Sequence, residues 1–245
     1  MRNRLKMDLH TALLLSLTCV LGCSSSRPIP GVVQPAAGEQ LDNIPGPMPG
    51  FGPFPNYSDA LLAACPLILS KPHALAGRPS DPHFNLRWRL STEYCAWLYR
   101  TPDNQYELSM LAMSTVQGDP TIRRCDLPPR VDDPRYAKDS LGYVFVLHNH
   151  PYPDPISRED IRYIVSAGRL HGFEVQTPQR KVPLSIVAFY SDAQEQPARC
   201  DGFYQYAPLG GQILQWTHEG QGRWSRREIA TVDWTGPDAF DIKTN

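Results

Sequence analysis

Tyr143-Val144-Phe145-Val146-Leu147-His148-Asn149-His150-Pro151, followed by a Pro-rich loop and then Ser157-Arg158-Glu159-Asp160-Ile161, is the stretch from which the fold is read. The unbroken apolar run Tyr143 to Leu147 has the length of a strand and suits a central strand buried on both faces. Ser157 opens a helix in which Ile161, Ile164, Val165 and Gly168 fall on one inward stripe. Residues two apart in an extended chain share a face, so His148 and His150 leave the strand end pointing the same way. Pro151 ends strand pairing there, and Tyr152 to Ile156 crosses to the helix, whose first turn brings Asp160 back as an oxygen donor. Two neutral imidazole nitrogens and one carboxylate, with a fourth position left to water, form the ligand set of a catalytic zinc ion rather than a closed structural one. Glu159 is the fallback oxygen donor.

Plainer readings stand beside this one. Ser157 and Asp160 also satisfy the capping-box pattern, and an isolated His-x-His is more often a strand coincidence than a metal site. The combination in one short stretch is what favours metal. His73, His83, His171 and His218 have no partner at metal spacing and read as surface residues. No HExxH, GxSxG or P-loop offers a rival chemistry.

Working outward, Ser58-Asp59 followed by Ala60 to Ala64 predicts a short capped helix that stops before Pro66. Three extended segments follow, Phe84 to Leu90, Tyr94 to Tyr99 and Tyr106 to Met113, read as an antiparallel meander. Leu184 to Tyr190 predicts a further buried strand. Gly210 to Trp234 predicts a hairpin around Glu219-Gly220-Gln221-Gly222 that carries Trp216, Trp224 and Trp234 as packing residues, with a docking face for an extended substrate or a glycan as the alternative. The expected organisation is a catalytic domain at 57–192 and a β-rich extension at 193–245, an α+β arrangement with a C-terminal β-hairpin.

His148-Asn149-His150-Pro151 with Ser157 and Asp160 is similar to the HxHP…SxxD signature of the JAMM (MPN+) metalloproteases, and most resembles the RadC-like bacterial branch. The family also carries a glutamate at the edge of an earlier apolar strand, and Glu93, before Tyr94-Cys95-Ala96-Trp97, matches that context. The resemblance covers about 93–192 and implies a JAMM/cytidine-deaminase-like fold, a curved mixed sheet flanked by helices. It implies Zn²⁺ on His148, His150 and Asp160, Glu93 as general base, Ser157 as donor to the oxyanion, and a peptide or isopeptide as substrate. One departure is that the loop from Pro151 to Ser157 is one residue shorter than the family's usual spacing, which bears on the placement of Ser157 and Asp160. Without the resemblance, Glu93 reads as a solvated acid ahead of an apolar strand.

The ends of the sequence speak to compartment. Arg2, Arg4 and Lys6 precede an apolar run, Thr11 to Leu21, that is too short to span a bilayer, so residues 1–22 read as a signal peptide. Val20-Leu21-Gly22-Cys23 resembles a bacterial lipobox, which implies lipidation of Cys23 and a membrane-anchored protein of the cell envelope; an ordinary signal peptide with an incidental cysteine is the alternative. Ser24 after the cysteine favours the outer membrane of a Gram-negative cell. Residues 23–56, rich in Pro, Gly and Ser, are expected to act as a tether. Cys65, Cys95, Cys125 and Cys200 suit two disulfides in an oxidising compartment, with three pairings open and buried free thiols as the alternative. Cleavage after residue 22 would leave 21 basic and 24 acidic side chains, a net charge near −3 with no basic stripe, so nucleic acid is not an expected partner. Two functions compete: an extracytoplasmic zinc hydrolase, and a non-catalytic adaptor on the same scaffold. A role on DNA by analogy with RadC is opposed by both the lipobox and the acidic balance.

Overall fold

The computed structural model describes residues 28–36, 39–113, 125–192 and 198–245. Cys23 and the signal-like segment lie outside these residues. Strand β1 (Asn43–Pro45) is followed by helices α1 (Tyr57–Leu69) and α2 (Phe84–Leu90), then by strands β2 (Tyr94–Arg100), β3 (Tyr106–Leu108), β4 (Ala112–Met113), β5 (Arg130–Asp132) and β6 (Gly142–Asn149). Helix α3 (Arg158–His171) leads to β7 (Glu174–Gln176), β8 (Lys181–Pro183), β9 (Ser185–Tyr190), β10 (Gly202–Tyr206), β11 (Gln212–Gly220), β12 (Arg223–Trp234) and β13 (Phe240–Thr244).

The fold is α+β, built on one open sheet in the order β13-β12-β11-β10-β9-β6-β2-β3, with β4 also paired to β2. Strand β6 runs parallel to β9 and antiparallel to β2, so the sheet is mixed. Alternate residues of β2, β6 and β9 feed two cores. Ala96, Leu98, Leu147, Val187 and Phe189 meet Ala60, Leu61, Ala64 and Ile68 of α1 on one face. Cys95, Trp97, Val146, Ile186 and Ala188 meet Ile161, Ile164 and Ala167 of α3 on the other. This explains the unbroken apolar character of Tyr143 to Leu147: both faces of β6 are covered. Gly168 is required in α3 because a Cβ there would sit 2.3 Å from the Phe173 ring.

Several elements differ from the sequence reading. Phe84 to Leu90 alternates perfectly but forms helix α2, not a strand. As a helix it stacks Phe84 on Trp88 one turn later, at 6.4 Å between ring centroids, while Leu86 and Leu90 remain 59% and 54% exposed. Helix α1 begins at an Asn56 cap, whose side chain accepts from the Asp59 N–H, and runs on through Pro66. Leu62, whose carbonyl Pro66 leaves without an intrahelical donor, lies on the solvent side with it, so water can serve that carbonyl. The stretch expected to be a tether is packed from Val32 onward. Ile44 pairs beside Val131 in a short parallel β1–β5 ladder, and Val32, Met48 and Phe51 are buried in the α1 core. Backbone bonds from Val33 to Leu111, Met48 to Leu108 and Phe54 to Tyr106 lay this segment along β3 and β4. A Pro-rich chain thereby covers a sheet edge.

The C-terminal hairpin is present, β11 and β12 turning at Gln221-Gly222, and it extends the main sheet through β10 instead of packing on it as a separate layer. Its tryptophans are packing residues: Trp216 and Trp224 lie on Phe203 and Trp234 on Phe240. His171 is not a surface residue, since it stacks on Tyr143 at 3.8 Å and its Nε2 lies 2.7 Å from the Pro129 carbonyl.

All four cysteines among the described residues are paired, Cys65 with Cys200 and Cys95 with Cys125, at sequence separations of 135 and 30. In the chain-entropy description the longer loop contributes about 5 kcal/mol and the shorter about 3.5 kcal/mol. Denaturant unfolding should therefore show a larger loss for Cys65→Ala/Cys200→Ala than for Cys95→Ala/Cys125→Ala. Equal losses would mean that native packing, and not loop closure, sets the cost.

Candidate metal centre

The carboxyl ends of the two parallel strands, β6 and β9, are where an open α/β-type sheet leaves a crevice. Cys95 is paired with His148 across the β2–β6 ladder and belongs to the α3-side core, so His148 faces α3. The next residues hold that direction: the His150 N–H donates to the Phe189 carbonyl at 2.8 Å, and the Pro151 carbonyl accepts from Ala76 at 2.6 Å. Ile156 is buried in the α3-side core and fixes the far end of the loop, and Ser157 then caps α3. These anchors fix both ends of the loop, and Asp160 arrives facing both imidazoles.

The three donors converge. His148 Nε2 lies 3.0 Å from His150 Nε2 and 3.5 Å from Asp160 Oδ1, and His150 Nε2 lies 3.6 Å from Asp160 Oδ2. One donor atom from each residue falls within 4.8 Å of the other two. Bonds of about 2.0 to 2.2 Å at tetrahedral angles would set ligand atoms roughly 3.3 Å apart, so the spacing is that of a set able to share one ion. The surrounding hydrogen bonds suit this use. His150 Nδ1 lies 2.6 Å from the Asp154 carbonyl, which requires a proton on Nδ1 and leaves Nε2 as the lone-pair donor. Asp160 Oδ2 accepts from the Ser157 N–H at 2.9 Å and from its hydroxyl at 2.7 Å, which leaves Oδ1 the freer oxygen. His148 Nδ1 is buried with no hydrogen-bond partner among the described residues.

The other expected residues are less alike in placement. Glu93 is buried at 9% exposure just ahead of β2, and its charge is felt at His150. Continuing the Cys95–His148 register by two residues sets Glu93 opposite His150 on the same face. The Ser157 hydroxyl is engaged at both ends within the capping box, donating to Asp160 Oδ2 and accepting from the Asp160 N–H at 3.1 Å. Glu159, the fallback ligand, is exposed and pairs with Arg162. Two features went unassigned in the sequence. Asn149 is completely buried and bonded to the segment that carries Glu93. Phe84 and Trp88 of α2 brace Tyr152 of the metal-side loop edge-on, at 5.4 and 5.3 Å. The His-Asn-His motif contained the first. The second was hidden by the misread α2.

Protons compete with a cation for the same atoms. Burial alone would lower the His150 pKa, but the hydrogen bond and charge of Asp160, the charge of Glu93 and the Asp154 carbonyl push it up to about 9. Burial opposes ionisation of Asp160, yet the charges and hydrogen bonds of His148 and His150 hold its carboxyl well below the usual carboxylate range.

Compared with protein-family models, with curated proteins and with solved structures, the chain matches none.

A raised folded-state pKa at His150 gives stabilisation that is complete below the unfolded value near 6.5 and is lost as the pH rises to about 9. Metal-stripped protein should therefore melt at steadily lower temperature between pH 6.5 and 9, and His150→Gln should remove most of that slope. Loading divalent metal at pH 7 should release about one proton, read by calorimetry in buffers of different ionisation enthalpy. A flat melting profile with no proton release would mean that His150 is neutral throughout.

Proposed function

We propose that this chain is an extracytoplasmic zinc-dependent hydrolase of the JAMM type, resembling the RadC-like branch, that cleaves a peptide or isopeptide bond. One observation carries the reading: His148, His150 and Asp160 close on a single point at the end of β6 while a buried carboxylate, Glu93, lies on the neighbouring segment. Two imidazoles and one carboxylate as donors favour zinc over the harder cations, which prefer all-oxygen cages. A zinc ion held there would supply an acidified water and a polarised scissile carbonyl.

The remaining work falls to the chain's own groups. Glu93 takes the proton of the attacking water and delivers it to the leaving amine. Its burial beside His150 keeps that proton transfer out of bulk solvent. Asp154 fixes the His150 tautomer through its carbonyl, and Ser157 holds Asp160 at the first turn of α3. For Ser157 to donate to an oxyanion, its hydroxyl must turn away from Asp160 Oδ2. Its positioning role is therefore the one the hydrogen bonds support directly. Tyr152, held edge-on against the stacked Phe84 and Trp88 rings, borders the site and shapes one wall for the substrate.

Two disulfides suit an oxidising compartment and support export, with Cys23 as the lipidated residue and the cell envelope, on the outer membrane of a Gram-negative cell, as the location. The partner is then an extracytoplasmic peptide or protein, not nucleic acid.

Purified protein should bind one zinc per chain, and Asp160→Ala should lose it. Glu93→Gln should keep the zinc and the melting temperature while cutting a mixed pool of linear and isopeptide-linked peptides about 10² to 10⁴ times more slowly, followed by mass spectrometry. Wild-type protein without zinc affinity would favour the adaptor reading. Cleavage by Glu93→Gln at the normal rate would remove Glu93 from the chemistry.

A further inference from the structure

Asn149 lies between the two imidazoles in sequence but projects elsewhere, since alternate residues of an extended chain point to opposite faces. Its side chain is completely buried and makes three hydrogen bonds. Oδ1 accepts from the Tyr94 N–H at 2.8 Å, and Nδ2 donates to the Thr92 carbonyl at 3.1 Å and to the Ala74 carbonyl at 2.7 Å. Thr92 and Tyr94 are the two chain neighbours of Glu93. The carbonyl before a residue and the N–H after it point to the same side in extended backbone, and this pair is what a neighbouring strand would normally engage. The β2–β6 ladder stops at Cys95 and His148, so the Asn149 amide supplies beyond its end the donor and acceptor that a further peptide group would have given. The Tyr94 hydroxyl donating to Pro72, and the Thr92 N–H donating to His73, tie the same segment to the loop before α2.

We propose that Asn149 is the positioning residue for Glu93, clamping the backbone on both sides of the carboxylate so that it stays opposite His150. This rests on the assignment of Glu93 as general base. Asp lacks the two donors and sets a charge against two carbonyl oxygens, Ser or Ala cannot reach Thr92 and Tyr94 together, and Gln carries the same amide one methylene farther out. The residue between the metal-binding histidines is thus fixed by the base on the next strand, and the motif couples ligand placement to base placement within three residues.

The test uses cobalt-loaded full-length protein, with the visible absorption of the metal followed as a function of pH. Glu93→Gln should shift the midpoint of the spectral change. Asn149→Ala and Asn149→Asp should each shift it in the same direction, with cobalt stoichiometry retained, and Asn149→Ala should add nothing in a Glu93→Gln background. Hydrogen exchange at the Tyr94 amide, slow in the wild type, should quicken at least tenfold in Asn149→Ala, which removes its acceptor. A shift that is equal in the two backgrounds would show that Asn149 acts on the ligands or on the fold, and would overturn the proposal while leaving Glu93 as the base. An unmoved midpoint in both Asn149 variants would overturn it as well. A midpoint unmoved by Glu93→Gln would sink the base assignment, and this inference with it.

Discussion

The burial of β6 between β2 and β9, with helices on both faces, is the constraint from which the rest follows. A strand held on both edges and both faces can leave the sheet at one place only, and a register slip of one residue would send Leu147 and Asn149 to the α3 side and both imidazoles to the other. The directions of His148 and His150 are therefore consequences of core packing. The same argument places Glu93, because the β2 register that pairs Cys95 with His148 is fixed by Trp97 and Leu98, both completely buried on opposite faces. The candidate ligands His148 and His150 and the candidate base Glu93 inherit their mutual position from buried apolar side chains.

Asp160 shows how one residue serves two levels of structure. As the third residue of α3 it accepts from the Ser157 N–H and satisfies one of the donors that a helix start leaves open. The positive end of the helix dipole favours its ionised form at the same point. Only one oxygen is consumed in this way, so a ligand atom remains for the ion. A carboxylate buried without such partners would cost several kcal/mol. Here the cap and the two imidazoles offset that cost before any cation binds, which is the sense in which the site is preorganised.

What was legible in the sequence is what depends on strong local pattern. The apolar run of β6, the stripe and cap of α3, and the ligand spacing across them are short-range features, and each appears where the residues put it. The misreadings share a different cause. Phe84 to Leu90 has a period-two pattern but pairs with no strand, and as a helix it keeps two leucines in solvent. Pro66 stays inside α1 because it faces water. Residues 31–54 look too poor in apolar side chains to pack, yet Val32, Ile44, Met48 and Phe51 suffice because the sheet edge supplies the missing surface. Cysteine pairing was open for the same reason, since it depends on which elements meet. Tertiary context decided every one of these, and no window of sequence contains it.

Glu93 sits at the point where regular structure runs out. Its backbone lies one residue ahead of β2, and the ladder to β6 begins two residues later, so the repeating hydrogen bonds that stiffen a strand do not reach it. Segments beyond the end of a ladder open most easily, yet the role of base proposed for Glu93 would need it held to within about half an ångström of its working position. The chain resolves this with contacts from outside the strand. Asn149 grips the backbone around Glu93, the His73 and Pro72 carbonyls hold Thr92 and Tyr94, and the Cys95–Cys125 disulfide pins the first residue paired with β6. Surrounding the Glu93 backbone with side-chain and disulfide restraints supplies, beyond the end of the ladder, the rigidity that further strand pairing would have provided.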